Sequence, residues 1–363
     1  MPARRSASRN SPTGSSRTDD QTTQGRGRPS RRSLLLGGLG IVVAAGAGSG
    51  YELVQDGTLP GKYALARLTG ACGSPPPPPR GDLPVRRAIS FYSAFRHRQV
   101  TMVTLIPPGQ PATAGLGVVV ALHGAGADAV SMADQVGPAM TAGRISGFAA
   151  VTVDGGDTYW HDRADGDDPI GMIIREVLPR MAADGMRTGR IGLVGESMGG
   201  YGALLLAEQL SRPSLLPEPV ATGTESSGPV FDGPHIGNTV AGGTGRLVTA
   251  TLPRPAAVAA LSPAIFASYA AAKAANRAAF DDQADFDRND VFAGLPALRT
   301  VPTLVSCGAD DPFEQETAFL RGRLATLTGH QPPGGILSGC HDDAFWERNL
   351  PGALRFVGEH LPG

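Results

Sequence analysis

Ser197 stands in the run Gly195-Glu196-Ser197-Met198-Gly199-Gly200, which has the spacing Gly-x-Ser-x-Gly. A serine hydroxyl is a weak nucleophile until a base takes its proton, and the base needs an acid to orient it. The spacing alone is cheap in a chain with 50 glycines among 363 residues, so the flanking residues have to decide. "RIGLV" before Gly195 has strand character, and "YGALLLAEQL" after Gly200 has helix character. A serine at such a strand-to-helix corner is held in a tight turn that pushes its hydroxyl outward, with glycines where a Cβ would clash. The following helix aims N–H groups and the positive end of its dipole at the same place.

Where the nucleophile sits at such a corner, the acid and then the base follow it along the chain. Four histidines follow: His235, His330, His341 and His360. His235 falls in a loose stretch before the next strands. His330 precedes the last strand and would face the wrong end of a sheet. His360 is near the C-terminus. His341 directly follows "GGILSGC", at the C-terminal end of the last strand, where ligands gather in open α/β sheets. The acid should end the strand before it, and "VPTLVSCGADDPF" offers Asp310 and Asp311. Asp311 is preferred, because the turn carries it back toward the histidine, while Asp310 is placed to cap the helix that follows. An oxyanion needs two donors. The backbone N–H of Met198 supplies one, and the loop "HGAGAD" after the strand "VVVAL" supplies the other through Ala125, with Gly124 beside it.

These residues need a scaffold. "AISFYSAF" and "QVTMVTLIPPG" read as an antiparallel pair. "LGVVVAL", "GFAAVTV", "RIGLV", "AAVAAL" and "VPTLVSC" are continuous apolar runs of the kind buried on both faces of a parallel sheet. "DDPIGMIIREVLPRMAADG" carries apolar residues at helical spacing. A last helix is expected over about 351–360. Strands alternating with helices predict a three-layer α/β fold with a mostly parallel sheet. From 211 to 255 the chain is rich in Gly, Pro, Ser and Thr with no sustained period. It reads as a flexible insertion, the alternative being a lid over the substrate cleft.

The first 50 residues read as an export segment. Arg31 and Arg32 precede a short apolar run from Leu34 to about Ala47, and small residues follow. That is the layout of a twin-arginine-type signal, with an uncleaved N-terminal anchor as the alternative. Residues 51–84 read as a Pro-rich linker containing Pro75 to Pro79, with the catalytic domain over 85–363. Eight arginines against Asp19 and Asp20 make the first 32 residues basic, so the remainder is net acidic. That is a poor footprint for nucleic acid. Three cysteines, Cys72, Cys307 and Cys340, allow one disulfide and one free thiol outside the cytoplasm. No CxxC or HExxH occurs, so no zinc site is suggested.

The segments "LHGAG", "DGGDTYWHDR", "IREVLPRM", "GESMGGYGALLLA", "CGADDPF" and "GCHDDAFW" together resemble the α/β-hydrolase superfamily. Within it, the chain from about 90 to 361 resembles the bacterial esterases that include esterase D, S-formylglutathione hydrolases and the mycolyltransferases. The resemblance implies the α/β-hydrolase fold, a triad of Ser197, Asp311 and His341, and an oxyanion hole of Met198 and Ala125. It places Asp154, Tyr159, Trp160 and Trp346 near the cleft, as packing or as contacts. The stretch 211–255 is longer than the family pattern and leaves the substrate entrance undefined. Cys307 and Cys340 fall on what should be adjacent strands, either as a disulfide or as buried free thiols. The implied chemistry is a serine carboxylesterase acting on a small-molecule or lipid ester or thioester through an acyl-enzyme, with no metal or organic cofactor. A sugar or glycerol acceptor would make the same site an acyltransferase. A non-catalytic envelope-binding protein is the reading from another class. Either way the chain is expected to be secreted or held at the cell envelope.

Overall fold

The computed structural model describes residues 62–111, 115–212 and 252–362, which belong to one compact unit, Gly61–Gly363. The expected export segment and residues 213–251 of the expected insertion lie outside the described residues.

Eight strands form one sheet: β1 (Val85–Ser93), β2 (Arg98–Ile106), β3 (Gly117–Leu122), β4 (Phe148–Val153), β5 (Arg187–Glu196), β6 (Arg254–Leu261), β7 (Thr303–Gly308) and β8 (Gly334–Leu337). Their spatial order is β1-β2-β4-β3-β5-β6-β7-β8. β2 pairs antiparallel with β1 and with β4, and every other pairing is parallel. This is the mostly parallel three-layer architecture of the α/β-hydrolases.

The apolar runs become central strands because both faces are covered. In β3, Val118, Val120 and Leu122 face one core, with Ile191 and Leu193 of β5 and Val258 and Ala260 of β6. Val119 and Ala121 face the other, with Val194, Ala257 and Ala259. The first core is closed by the helical stretch Pro169–Met172, Ile173–Val177 and Leu178–Ala183 and by α5 (Met198–Ser211). We number the first and last of those three pieces α3 and α4. The middle piece is a π turn, in which Leu178 N–H reaches Ile173 O. Pro179, one residue on, has no N–H to offer an α ladder. The second core is closed by α2 (Ala129–Gly143) and the C-terminal helix Asp343–Glu359. Between β6 and β7 lie α6 (Tyr269–Ala275), α7 (Gln283–Arg288) and α8 (Val291–Gly294), and α9 (Glu314–Thr328) joins β7 to β8. The C-terminal helix is therefore α10.

Two expectations are corrected. The last helix starts at Asp343 rather than near 351, because the Asp342 side chain accepts the Phe345 N–H and caps it. Pro351 stands inside the helix. The segment ahead of β1 is also more than a tether. It contains α1 (Lys62–Thr69), and Cys72 within it is disulfide-bonded to Cys340. Among the described residues no helix is long and apolar enough to cross a membrane.

Candidate active site

β5 ends at Glu196 and α5 begins at Met198, so Ser197 is the whole corner. Its φ of 54° and ψ of −122° are rare for a residue with a Cβ and cost of order 1–3 kcal/mol. The neighbours hold that conformation. Ser197 N–H donates to Leu261 O (2.9 Å), and Ser197 O accepts from Ala264 N–H (2.9 Å) and Tyr201 N–H (3.1 Å). The corner closes only on small residues. A Cβ on Gly195 would stand 2.0 Å from Gly199 O, and one on Gly199 would stand 2.0 Å from Leu122 O.

Ser197 Oγ lies 2.8 Å from His341 Nε2. His341 Nδ1 lies 2.8 Å from Asp311 Oδ2. The other Asp311 oxygen accepts the Phe313 N–H at 2.8 Å. A carboxylate facing Nδ1 places the imidazole proton there, which leaves the Nε2 lone pair to accept from the serine hydroxyl. The Asp311 side chain is wholly buried, and that of His341 is 18% exposed, so the relay opens outward only at its serine–histidine end. Phe313 and Trp346 flank the imidazole, with centroids at 5.2 and 5.1 Å. Asp310 belongs to the same turn, and its N–H donates to Gly339 O on the histidine loop (3.0 Å). The N-cap residue of α9 is Phe313, which makes no side-chain cap bond.

The expected oxyanion donors are brought to the same corner. Met198 is the first residue of α5, where backbone N–H groups have no partner within the helix. On the facing loop, a Cβ on Gly124 would lie 3.3 Å from Ser197 Cβ, and Ala125 next to it is exposed. His123 anchors this loop. Its Nε2 accepts the Gly155 N–H (2.9 Å), so its proton is on Nδ1, which donates to Gly124 O (2.8 Å). The carbonyl of Gly124 and the N–H of Ala125 share one planar trans peptide and point in opposite directions. Holding the carbonyl on the His123 side therefore aims the N–H away from it. Burial pushes the His123 pKa down, which keeps the ring neutral and this pattern intact.

Of the four residues expected near the cleft, Trp346 alone packs on the relay. Both Asp154 oxygens are used internally, by Thr101 N–H (2.7 Å) and Ala129 N–H (2.8 Å). Tyr159 belongs to an aromatic cluster with Tyr201, Phe266 and Phe280. Trp160 is fully buried and donates to His123 O (3.2 Å). His330 and His360 line a cavity of about 310 Å³ together with Thr303 and Pro333. That cavity is at the N-terminal ends of β7 and β8, the opposite end of the sheet from the relay. His235 lies outside the described residues.

The cysteines pair differently from the expectation drawn from adjacent strands. Cys340 is bonded to Cys72, and Cys307 is a buried free thiol. Cys307 sits within β7 and Cys340 beyond the end of β8, while the N-terminal segment delivers Cys72 directly to the histidine loop. Among the described residues, Cys72, Cys340 and Asp342 have metal-ligand spacing, but both sulfurs are spent in the disulfide. Sequence reasoning also passed over Glu196. Its carboxyl is buried beside Gln135, which donates to it at 3.2 Å. Burial, with the nearby charges of Asp343 and Glu347, pushes its pKa up to about 8. Nothing in the sequence singled it out, because β5 is buried only over its last six residues, from Ile191 to Glu196.

Comparison with known proteins agrees with this fold. Residues 93–214 match a family model described as "Putative esterase". No curated protein sequence matches significantly. Among solved structures, the chain is similar to a ferulic acid esterase at 18% identity and a TM-score of 0.55, over 76% of this chain and 99% of that one. It is similar to an S-formylglutathione hydrolase from Agrobacterium tumefaciens at 15% identity and a TM-score of 0.54, over 76% and 95% of the two chains. A fluorophosphonate-binding serine hydrolase of Staphylococcus aureus aligns at 14% identity and a TM-score of 0.55, over 77% and 99%. At these identities the structural likeness establishes the fold.

Proposed function

We propose that this chain, which has the α/β-hydrolase fold and whose residues 93–214 match a family model described as "Putative esterase", is an exported serine carboxylesterase that works through an acyl-enzyme on Ser197. The observation that carries this reading is the continuous relay from Ser197 Oγ to His341 Nε2 and from His341 Nδ1 to Asp311, each step 2.8 Å. In it, His341 takes the serine proton as Oγ attacks an ester or thioester carbonyl. The N–H groups of Met198 and Ala125 receive the oxyanion that develops. Asp311 holds the ring in the productive tautomer and stabilises its charged form. His341 then protonates the leaving alcohol or thiol, and water, deprotonated by the same histidine, releases the acid.

The test is hydrolysis of p-nitrophenyl acetate, butyrate and palmitate by the full chain beside Ser197→Ala. Loss of the nucleophile should lower kcat by roughly a thousandfold or more, with the wild type acquiring one acyl group on Ser197 under single turnover. Equal rates in the two proteins would remove Ser197 as the nucleophile. Export is supported by Arg31, Arg32 and the apolar run after them, and by a disulfide, a bond that persists in oxidising compartments.

A further inference from the structure

We propose that the Cys72–Cys340 disulfide is a positioning element of the catalytic site: it ties the loop that carries His341 to the segment ahead of β1, and the relay is fully assembled only when that bond is formed. The assignment of His341 as the catalytic base is taken from the function proposed above.

Cys340 is the residue immediately before His341, on the short loop between β8 and α10. That loop is also held by the His341 bonds to Asp311 and Ser197 and by bonds on either side of Cys340. Asp310 N–H donates to Gly339 O at 3.0 Å, and the Asp342 side chain caps α10. Between them, Cys340 is fully buried and forms a small apolar cluster with Cys72 and Ala66. On the other side of the bond, the segment is tied to the two helices that it crosses. Arg348 donates to Cys72 O (3.1 Å) and Ser74 O (2.9 Å), and Thr141 donates to Asp82 O (3.0 Å). Leu68 and Leu83 are exposed. The sulfur–sulfur bond links this segment covalently to the loop itself.

The other end of the segment is firm. Pro75 to Pro79 form a stiff spacer, and a few residues later the chain enters β1 at Val85, in the sheet. Thr141 of α2 and Arg348 of α10 lie along its course, so it crosses the helical layer over the second core. The loop is braced from that side by a strut with one covalent end. Phe313 and Trp346 restrain the rotation of the His341 ring, the Asp310–Gly339 bond holds the loop backbone on one side, and the disulfide holds it on the other. A displacement of about 1 Å in a reacting group can cost a hundredfold in rate.

Cys307 does not replace Cys72 in this role. It is buried, and burial together with the Asp311 charge pushes its thiol well above the ordinary range, so it offers no thiolate for exchange. A dithiol reductant would undo the bond in a balanced step. Two electrons and two protons pass to the sulfurs of Cys72 and Cys340, and the reductant closes its own disulfide.

The experiment uses the folded full chain, oxidised, then reduced with dithiothreitol, then reoxidised, beside Cys72→Ser. Three quantities are read: kcat and KM for p-nitrophenyl butyrate, the far-downfield proton resonance of His341 Nδ1–H on Asp311 (assigned with His341→Gln), and the number of alkylatable thiols. On reduction, kcat should fall about tenfold or more with KM within about twofold, the resonance should be lost, and two thiols should become alkylatable. Reoxidation should restore all three. Cys72→Ser should show the reduced-state values with or without reductant; if it fails to fold, the reduced wild type carries the test. The proposal is overturned if the two thiols appear while kcat and the resonance hold, or if only the melting temperature falls. It is likewise overturned if the oxidised chain shows no such resonance. An oxidised chain with no Ser197-dependent turnover, whose resonance still vanishes on reduction, would support the positioning role and sink the esterase reading instead.

Discussion

At the scale of single residues, two aspartates one position apart have separate duties. Asp311 Oδ2 faces His341 Nδ1 at 2.8 Å, whereas the backbone of Asp310 braces the histidine loop through Gly339 O. Asp311→Asn should lower kcat by about ten-thousandfold, because an amide that donates to Nδ1 imposes the wrong tautomer. Asp310→Asn keeps the backbone bond and should stay within a few-fold of the wild type, and steady-state kinetics on one ester separates the two. Glu196 yields a stability prediction. Its pKa in the folded chain is raised to about 8 from the ordinary value of 4.5. Below pH 4.5 both folded and unfolded forms are protonated. As pH rises toward 8 the unfolded chain ionises first, so stability is progressively lost over that window. Glu196→Gln removes this ionisation. Its unfolding free energy in urea should exceed the wild type's by an amount that grows from pH 5 to pH 8, reaching roughly a few kcal/mol. A constant difference across that range would refute the assignment.

At the scale of elements, the nucleophile corner is built by crowding. β3, β5 and α5 meet so closely that Gly195 and Gly199 have backbone oxygens where a Cβ would go. Gly199→Ala should therefore destabilise the fold by more than about 3 kcal/mol or prevent it, since backbone on both sides must shift. Gly322 makes a clean control. It lies within α9, and a Cβ there meets nothing within 4 Å. Gly322→Ala should stabilise by roughly 0.5–1 kcal/mol, and thermal denaturation of both variants checks the contrast. The central strands β3, β4, β6 and β7 were legible from their apolar runs, because a strand buried on both faces must be apolar at nearly every position. The start of α10 was harder to place. Pro351 looks like a helix beginning, and the cap that starts the helix earlier, Asp342, is one more acidic residue in "HDDAF".

At the scale of the whole molecule, the relay draws on residues far apart in the chain: Ser197, Asp311 and His341, with Cys72 bonded beside the last of them across a separation of 268 residues. The N-terminal 50 residues bear on where this assembly works. On the export reading, the mature protein should be recovered outside the cytoplasm with an N-terminus beyond Ala47, lacking Arg31 and Arg32. Fractionation and N-terminal sequencing read this directly, and a full-length cytoplasmic product would contradict it.

The sequence by itself determined the fold class and proposed the chemistry. Both rest on local constraints: a corner serine needs its glycines, a buried strand needs its apolar run, and the order serine, aspartate, histidine follows from one-way progression through a parallel sheet. The cysteine pairing, the anchoring of the oxyanion loop by His123 and the burial of Glu196 were decided only in three dimensions. Each depends on which distant segment arrives against which, and such contacts leave no periodicity for a linear reading to find. A cysteine in a proline-rich stretch looks like part of a free linker until the tertiary fold sets it against Cys340.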